Sequence, residues 1–361
     1  MKTTKRILLV GPLLPPVHGQ SLAFTRFVES LVNEKKILVN TNLEDQSKLG
    51  KNFSTFSTLF TIIVKAIITN YDIVYFTCSR TILGSIKDIL LINIVSLRQV
   101  KIVNHLHGSD FYEFLHNSPV WYKKILFHSY KKVNTSIVLL DSMKNQFKDF
   151  DNMKVEIVAN FYDKELDIKL VKKEKDKINL VYLSNIMSSK GIFELIDAFE
   201  QLSKKYDNIY LNIAGGYIAD EYMSIEKVKE KFTSKIALNN RIKYIGKAFA
   251  NEKVKLLQNS DIFVLPTYYK SEAFPISIIE AMACRNVIVT TNYKYLPEVV
   301  SEENGVLVEP RSVDSLVEGI ESLISDIGKL AQIQKHNKQE AKEKYSLDRY
   351  INNMKNIVME I

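Results

Sequence analysis

Cysteine is nearly absent: Cys78 and Cys284 are the two in 361 residues, in unrelated contexts. That argues against a disulfide framework or a cysteine-based metal site, fits a reducing compartment, and makes each thiol a small buried side chain. A long unbroken apolar run is also missing. The stretches Phe56 to Ile68 and Ile82 to Leu97 are interrupted by Lys65 and by Lys87-Asp88, short of the roughly 20 apolar residues that span a bilayer. Met1-Lys-Thr-Thr-Lys-Arg followed by Ile7-Leu-Leu-Val has the outline of a signal peptide. Pro12, Pro15 and Pro16 interrupt it and no small-residue cleavage pattern follows, so it reads as a buried first strand. The expectation is a cytoplasmic protein, soluble or peripheral to the membrane. No short repeat, low-complexity tract, helix-turn-helix, zinc or RNA-binding signature occurs in the sequence, which argues against nucleic-acid binding.

What is present is enough chain for two cores, because single hydrophobic cores stop growing near about 250–300 residues. Hydrophobic content of 46% and charged content of 25% are those of an ordinary globular protein. The net charge of +8 is unevenly placed: residues 1–176 hold 25 Lys+Arg against 17 Asp+Glu, and residues 177–361 hold 24 of each. A basic first half suggests an anionic partner, either a membrane leaflet or a phosphate-bearing acceptor, or else a solvated lysine-rich surface.

Short β-branched runs alternate with amphipathic segments. Arg6 to Val10, Asp72 to Phe76, Lys101 to Asn104 and Thr135 to Leu140 read as strands, and Asp163 to Asp176 as a charged linker. The rhythm restarts at Asn179 to Leu183, Ile209 to Ala214, Ile242 to Ile245, Asp261 to Leu265 and Val287 to Thr290, with helices such as Gly191 to Lys204 and Pro275 to Cys284. Three helices follow Ser312. The expected fold is α/β, with two doubly wound Rossmann-like domains at 1–165 and 177–345 and a terminal helix at 346–361. Ligands of such sheets bind beyond the carboxyl ends of the strands, so two domains facing each other are expected to form a cleft with a site from each wall.

The most informative text is Ser271-Glu-Ala-Phe-Pro-Ile-Ser-Ile-Ile-Glu-Ala-Met-Ala-Cys. Pro275 suits a first helical turn, which puts Glu272 on the preceding loop and Glu280 inside the helix. Free N–H groups at Ala273, Phe274 and Ile276, with the helix dipole, offer a phosphate site between two hydroxyl-binding carboxylates. By spacing alone, two ordinary helix-surface glutamates are the better reading.

The segment resembles the donor-binding Glu-x7-Glu motif of the retaining glycosyltransferases of family 4, which have the GT-B fold. The likeness continues through Val287-Ile-Val-Thr-Thr, Leu296-Pro-Glu-Val-Val and Asn304-Gly-Val-Leu-Val-Glu-Pro. Upstream, Leu183-Ser-Asn-Ile-Met-Ser-Ser-Lys-Gly resembles the family's Gly-Arg-Leu-x-x-x-Lys-Gly turn. Lys190 takes the lysine position, and Ser184 and Asn185 replace the Gly-Arg pair. That departure leaves one cation for the donor diphosphate unless another residue substitutes. In the first half, His18-Gly19 stands where the family often has Gly-Gly. His107-Gly108, at the end of a strand, resembles the family's histidine that reaches toward the donor sugar, whereas His105 can be a core or turn histidine.

The resemblance implies transfer of a hexose or N-acetylhexosamine, with retention, from a nucleoside diphosphate sugar, a UDP-sugar being favoured. Glu280 would bind the ribose, Glu272 the sugar hydroxyls, and Lys190 with the helix end at Phe274 and Pro275 the departing diphosphate; the catalytic set would be Glu272, Lys190 and His107. The remaining donor contacts would be Gly19, Asn185, Ala273 and Ile276. No cofactor or metal is expected, and Asp149-Phe-Asp reads as a chance triplet. The stretch Pro119 to Lys132 holds the one Trp and four Lys with no acid. It suits an interfacial helix placing Trp121, Tyr122, Lys123, Lys124, Lys131 and Lys132 on an anionic leaflet, or a helix packed by its aromatics. The acceptor expected is a lipid-linked saccharide at the inner leaflet, in O-antigen or capsule synthesis. A nucleotide-sugar-binding protein without transferase activity, or a sugar-nucleotide epimerase, is the alternative.

Overall fold

Runs of β-branched residues buried on both faces become two parallel sheets, the arrangement that near-continuous apolar strands require. The computed structural model describes residues 4–42, 48–167 and 176–360; residues 168–175, within the stretch read as a linker, lie outside them. Residues 1–160 and 348–361 form one compact unit and residues 161–347 a second.

The first unit runs β1 (Arg6–Gly11), α1 (Gly19–Ser30), β2 (Lys35–Asn40), α2 (Lys48–Ile68), β3 (Ile73–Thr77), α3 (Ile82–Val95), β4 (Lys101–His105), α4 (Phe111–Asn117), α5 (Val120–Tyr130), β5 (Thr135–Val138) and β6 (Lys154–Ile157). Its sheet has the order β2-β1-β3-β4-β5-β6 and is parallel throughout. The order reverses between β1 and β3, the switch point at which ligands of such sheets bind. The edge strands β2 and β6 escaped the sequence reading. They are short and lysine-bearing, with most positions at least partly exposed, as edges that must not aggregate tend to be.

The second unit runs β7 (Ile178–Leu183), α6 (Ile192–Lys205), β8 (Ile209–Ala214), α7 (Ile225–Ile236), β9 (Ile242–Gly246), α8 (Ala250–Gln258), β10 (Ile262–Leu265), α9 (Ile276–Ala283), β11 (Val287–Thr291), α10 (Leu296–Val299), β12 (Gly305–Val308), α11 (Val313–Ile324) and α12 (Ile327–Lys344). Its sheet order is β12-β11-β10-β7-β8-β9, parallel throughout, so its switch point lies between β7 and β10. The loops leaving those two strands carry Lys190 and Glu272.

The last helix, α13 (Leu347–Met359), packs almost entirely with the first unit. Met354 and Val358 are buried, and the Tyr350 hydroxyl donates to the Ala23 carbonyl at 3.1 Å. Lys101 Nζ donates to the Ile357 carbonyl at 2.6 Å and also to that of Glu360, while Lys5 donates to that of Met359. Lysines on the final carbonyls answer the negative end of the helix dipole. Part of the basic excess of the first half is therefore spent within the molecule.

Candidate active site

The chain leaves β7 into a tight turn, Ser188–Lys190, closed by Gly191 at φ +72°. A Cβ at Gly191 would lie 2.1 Å from the Pro266 carbonyl oxygen, so glycine is needed both for its backbone conformation and to seat the turn against the end of β10. Asp220 braces the turn from a third loop: Oδ2 accepts from Ser189 N–H at 2.7 Å, and Oδ1 from Tyr222 and Met223 N–H at 3.0 Å each. Against the upward pull of burial, these donors hold the Asp220 carboxyl below its ordinary value. Asn185 is exposed, and its carbonyl accepts the Tyr182 hydroxyl at 2.7 Å.

From β10 the chain enters the loop carrying Thr267 and Glu272. Tyr268 N–H donates to the Ser189 carbonyl at 2.8 Å, tying the two switch-point loops together, and Glu272 N–H donates to the Tyr269 carbonyl of its own loop at 2.9 Å. The result is a buried ion pair between the Lys190 ammonium and Glu272 Oε2, with side chains 12% and 8% exposed. The Thr267 hydroxyl donates to the same oxygen at 2.9 Å, and Lys190 Nζ lies 4.9 Å from the centre of the Tyr269 ring. Residues 82 apart in sequence are thus brought into contact.

Pro275 is the N-cap of α9, one position earlier than a first helical turn, and Ile276 opens the helix. Ala273 and Phe274 are buried, the Phe274 ring meeting Tyr345 edge-on at 5.4 Å. In the first turn of α9 the Ile278 N–H donates to the Pro275 carbonyl at 3.1 Å, and the turn carries the positive end of the helix dipole. Glu280 lies inside the helix, 4% exposed. Its Oε1 is 2.5 Å from Lys253 Nζ, which comes from α8. Burial pushes the Glu280 carboxyl above its ordinary value, Lys253 opposing and Asp163 adding to the rise. Each glutamate of the pair therefore has its own lysine. The sequence reading found Lys190 but missed Lys253, Thr267 and Asp220. Thr267 was legible in principle, as a polar residue just past a strand at the switch point; Lys253 carries no local signal.

In the first unit, Gly19 opens α1 behind His18, whose Nδ1 accepts from Ser21 N–H at 3.2 Å while Ser21 Oγ accepts from His18 N–H at 3.1 Å. His105, the last residue of β4, is fully buried, its Nδ1 2.8 Å from the Tyr75 hydroxyl. It is a core histidine. The His107 ring lies 4.0 Å from it, with Nε2 buried and without a hydrogen-bond partner. Burial, helped by the neighbouring Arg80 and His18, pushes His107 down to about 3, so its imidazole is neutral at physiological pH. Arg80, unnoticed in the sequence, pairs with Asp110. Buried Asp88 fixes the start of this loop by accepting from Ser79 N–H at 2.8 Å and from the Tyr130 hydroxyl at 3.0 Å. Asp149 of the Asp-x-Asp triplet lies 3.2 Å from His116 Nε2.

The basic aromatic helix is α5, and here one expectation is corrected. Tyr122 does not face outward: it is 4% exposed, and its hydroxyl lies 2.6 Å from Ser85 Oγ and donates to the Ile82 carbonyl at 2.9 Å. Lys132 is half-buried on Asn93 Oδ1 at 2.6 Å, and Lys131 lies 4.7 Å from the Phe127 ring centre. Lys123 is half-buried, whereas Lys124 is exposed together with Trp121, Val120 and Ile125. Ile82 and Leu83 are exposed at the start of α3. Among the described residues no helix is long and apolar enough to cross a membrane.

Two doubly wound six-stranded parallel sheets in one chain, with the final helix returned to the first unit, define the GT-B fold. The structure is similar to that of Anabaena HepE in complex with UDP, with a TM-score of 0.71 at 16% identity over 99% of this chain and 100% of that chain. Residues 163–341 match the family described as Glycosyl transferases group 1. The chain is similar to an uncharacterized glycosyltransferase of Methanocaldococcus jannaschii, 28% identical over 54% of this chain and 51% of the relative. It is also similar to the capsular polysaccharide biosynthesis glycosyltransferase CapM of Staphylococcus aureus, 28% identical over 50% of this chain and 46% of the relative. The chain thus spans about half the length of these curated relatives.

Proposed function

We propose that the protein is a retaining glycosyltransferase that moves a hexose or N-acetylhexosamine from a nucleoside diphosphate sugar, UDP-linked by preference, to a lipid-linked saccharide during surface polysaccharide synthesis. The observation that carries this reading is the buried Lys190–Glu272 pair at the switch point, beside the N-terminus of α9 and ahead of Glu280. A diphosphate arriving at the helix end would take the Lys190 ammonium from Glu272 and leave that carboxylate for sugar hydroxyls. The Thr267 hydroxyl already donates to that carboxylate at 2.9 Å, and the sugar hydroxyls would add donors in place of the ammonium, keeping the buried carboxylate hydrogen-bonded. As the bond to the anomeric carbon breaks, negative charge grows on the diphosphate, where a fixed ammonium and helix N–H groups stabilise it more than they stabilise the ground state. Glu280 would hold the ribose hydroxyls.

The polysaccharide role is supported by the name of the CapM relative, and a nucleotide donor by UDP in the HepE structure. A peripheral position on the inner leaflet is supported by exposed Trp121 and Lys124 on α5. Thermal-shift screening against UDP- and GDP-sugars, followed by NMR of the transferred anomeric centre, tests the reading. Stabilisation by a nucleotide sugar and a product of the donor's configuration are expected, with EDTA leaving transfer intact. Inversion, or an absolute need for added Mg²⁺ or Mn²⁺, would refute the mechanism.

A further inference from the structure

Glu280 is the more deeply buried of the two glutamates of the candidate donor site, yet it has to be ionised to accept hydrogen bonds from two adjacent hydroxyls. The charged groups acting on it are Lys253, from α8, and Asp163, from the segment ahead of the turn at Lys164–Leu166. Asp163 opposes ionisation, so among these the ammonium is the one group that favours it. Lys253 Nζ sits 2.5 Å from Oε1, with its side chain 23% exposed and that of Glu280 5%. The lysine stands in the first half of a nine-residue helix whose buried residues are Val254, Leu256, Leu257 and Gln258, so it reaches Glu280 from the border of that buried face.

We propose that Lys253 is a positioning residue of the donor site, holding the Glu280 carboxylate ionised and oriented for the ribose hydroxyls of the nucleotide. This rests on the donor-site reading above and deepens it by adding a cation that the Glu-x7-Glu text does not contain. The residue acts through Glu280 and is assigned no contact with the reacting atoms. A charge-assisted bond of this kind both fixes the rotamer and sets the protonation state of its partner.

The test is UDP and GDP affinity by calorimetry between pH 5.5 and 8.5 for the wild type, Lys253→Met, Lys253→Arg, Glu280→Gln and the Lys253→Met/Glu280→Gln double variant. Methionine keeps the stem and removes the charge. In Lys253→Met the Glu280 carboxyl titrates at higher pH, so nucleotide affinity should fall as pH falls. A loss of about tenfold across the range corresponds to one pKa unit, against about twofold or less for the wild type. Lys253→Arg should restore most of the affinity. On the Glu280→Gln background, Lys253→Met should add almost nothing, because the lysine acts only through that carboxylate.

Wild-type affinity and pH profile in Lys253→Met overturn the inference while leaving the donor site standing. Additive losses in the double variant, or equal losses in the Arg and Met variants, overturn it too. Failure of the wild type to bind either nucleotide at any pH overturns the donor-site reading and the inference with it. Should Lys253→Met not fold, Lys253→Arg and Glu280→Gln still decide: the first must keep near wild-type affinity, and the second must lose it.

Discussion

Replacing Gly191 by alanine puts two separable costs on one residue. At φ +72° the new Cβ strains the backbone, worth about 1–2 kcal/mol. The same Cβ would lie 2.1 Å from the Pro266 carbonyl oxygen and 2.7 Å from its carbon. Neither partner is the free end of a side chain, so relief requires moving the turn away from β10, an overpacking cost of about 1–3 kcal/mol. The sum, about 2–5 kcal/mol, should lower the Tm of the second unit by roughly 4–20 °C at about 2–4 °C per kcal/mol. Gly246 supplies the control: its φ is +86°, but a Cβ there meets nothing within 4 Å. Gly246→Ala should therefore show the backbone cost alone, about 2–8 °C. Differential scanning calorimetry of both variants separates the terms. Equal shifts in the two, or a Gly191→Ala shift below about 2 °C, would refute the claim that close approach to Pro266 seats the Lys190 turn.

Lys190→Ala should lower kcat by about 10²–10³, the loss typical of one fixed donor to a developing anion, and initial-rate kinetics with a saturating nucleotide sugar will show it; a change confined to KM would contradict the role. Because burial raises the folded-state value of Glu280 above its unfolded value near 4.3, the native state binds more protons in that window. Wild-type stability is therefore lost relative to Glu280→Gln as pH rises from about 4 through the raised value. A Tm difference that grows in favour of the Gln variant over that range, with nucleotide affinity reduced about 10-fold or more, is expected from scanning fluorimetry and calorimetry. Trp121→Ala together with Lys124→Glu should abolish co-sedimentation with anionic vesicles and leave stability within about 0.5 kcal/mol, because both side chains are exposed; wild type that sediments with neither anionic nor neutral vesicles removes the membrane assignment.

Strand and helix alternation, both switch-point loops and the Glu272/Glu280 spacing were legible because each is a local pattern: period, capping and turn residues act over a few positions. The three closing helices were legible for the same reason, their amphipathic repeat surviving to Val358. The edge strands β2 and β6 were not, since partial burial removes the alternation that marks a strand. Tyr122 was misplaced because the direction of one side chain depends on which helix lies beside it, here α3.

The amino-acid order by itself determined which segments become strands, where glycine must stand, and which acidic pair can flank a helix end, for these follow from backbone sterics and the period of the apolar residues. Only the tertiary structure decided that Lys190 meets Glu272, that Lys253 meets Glu280, and that Lys5 and Lys101 close the end of α13. Such partners are far apart along the chain, and each ion pair forms because a particular strand order delivers two loops or helices to one place, a choice made by packing the whole sheet.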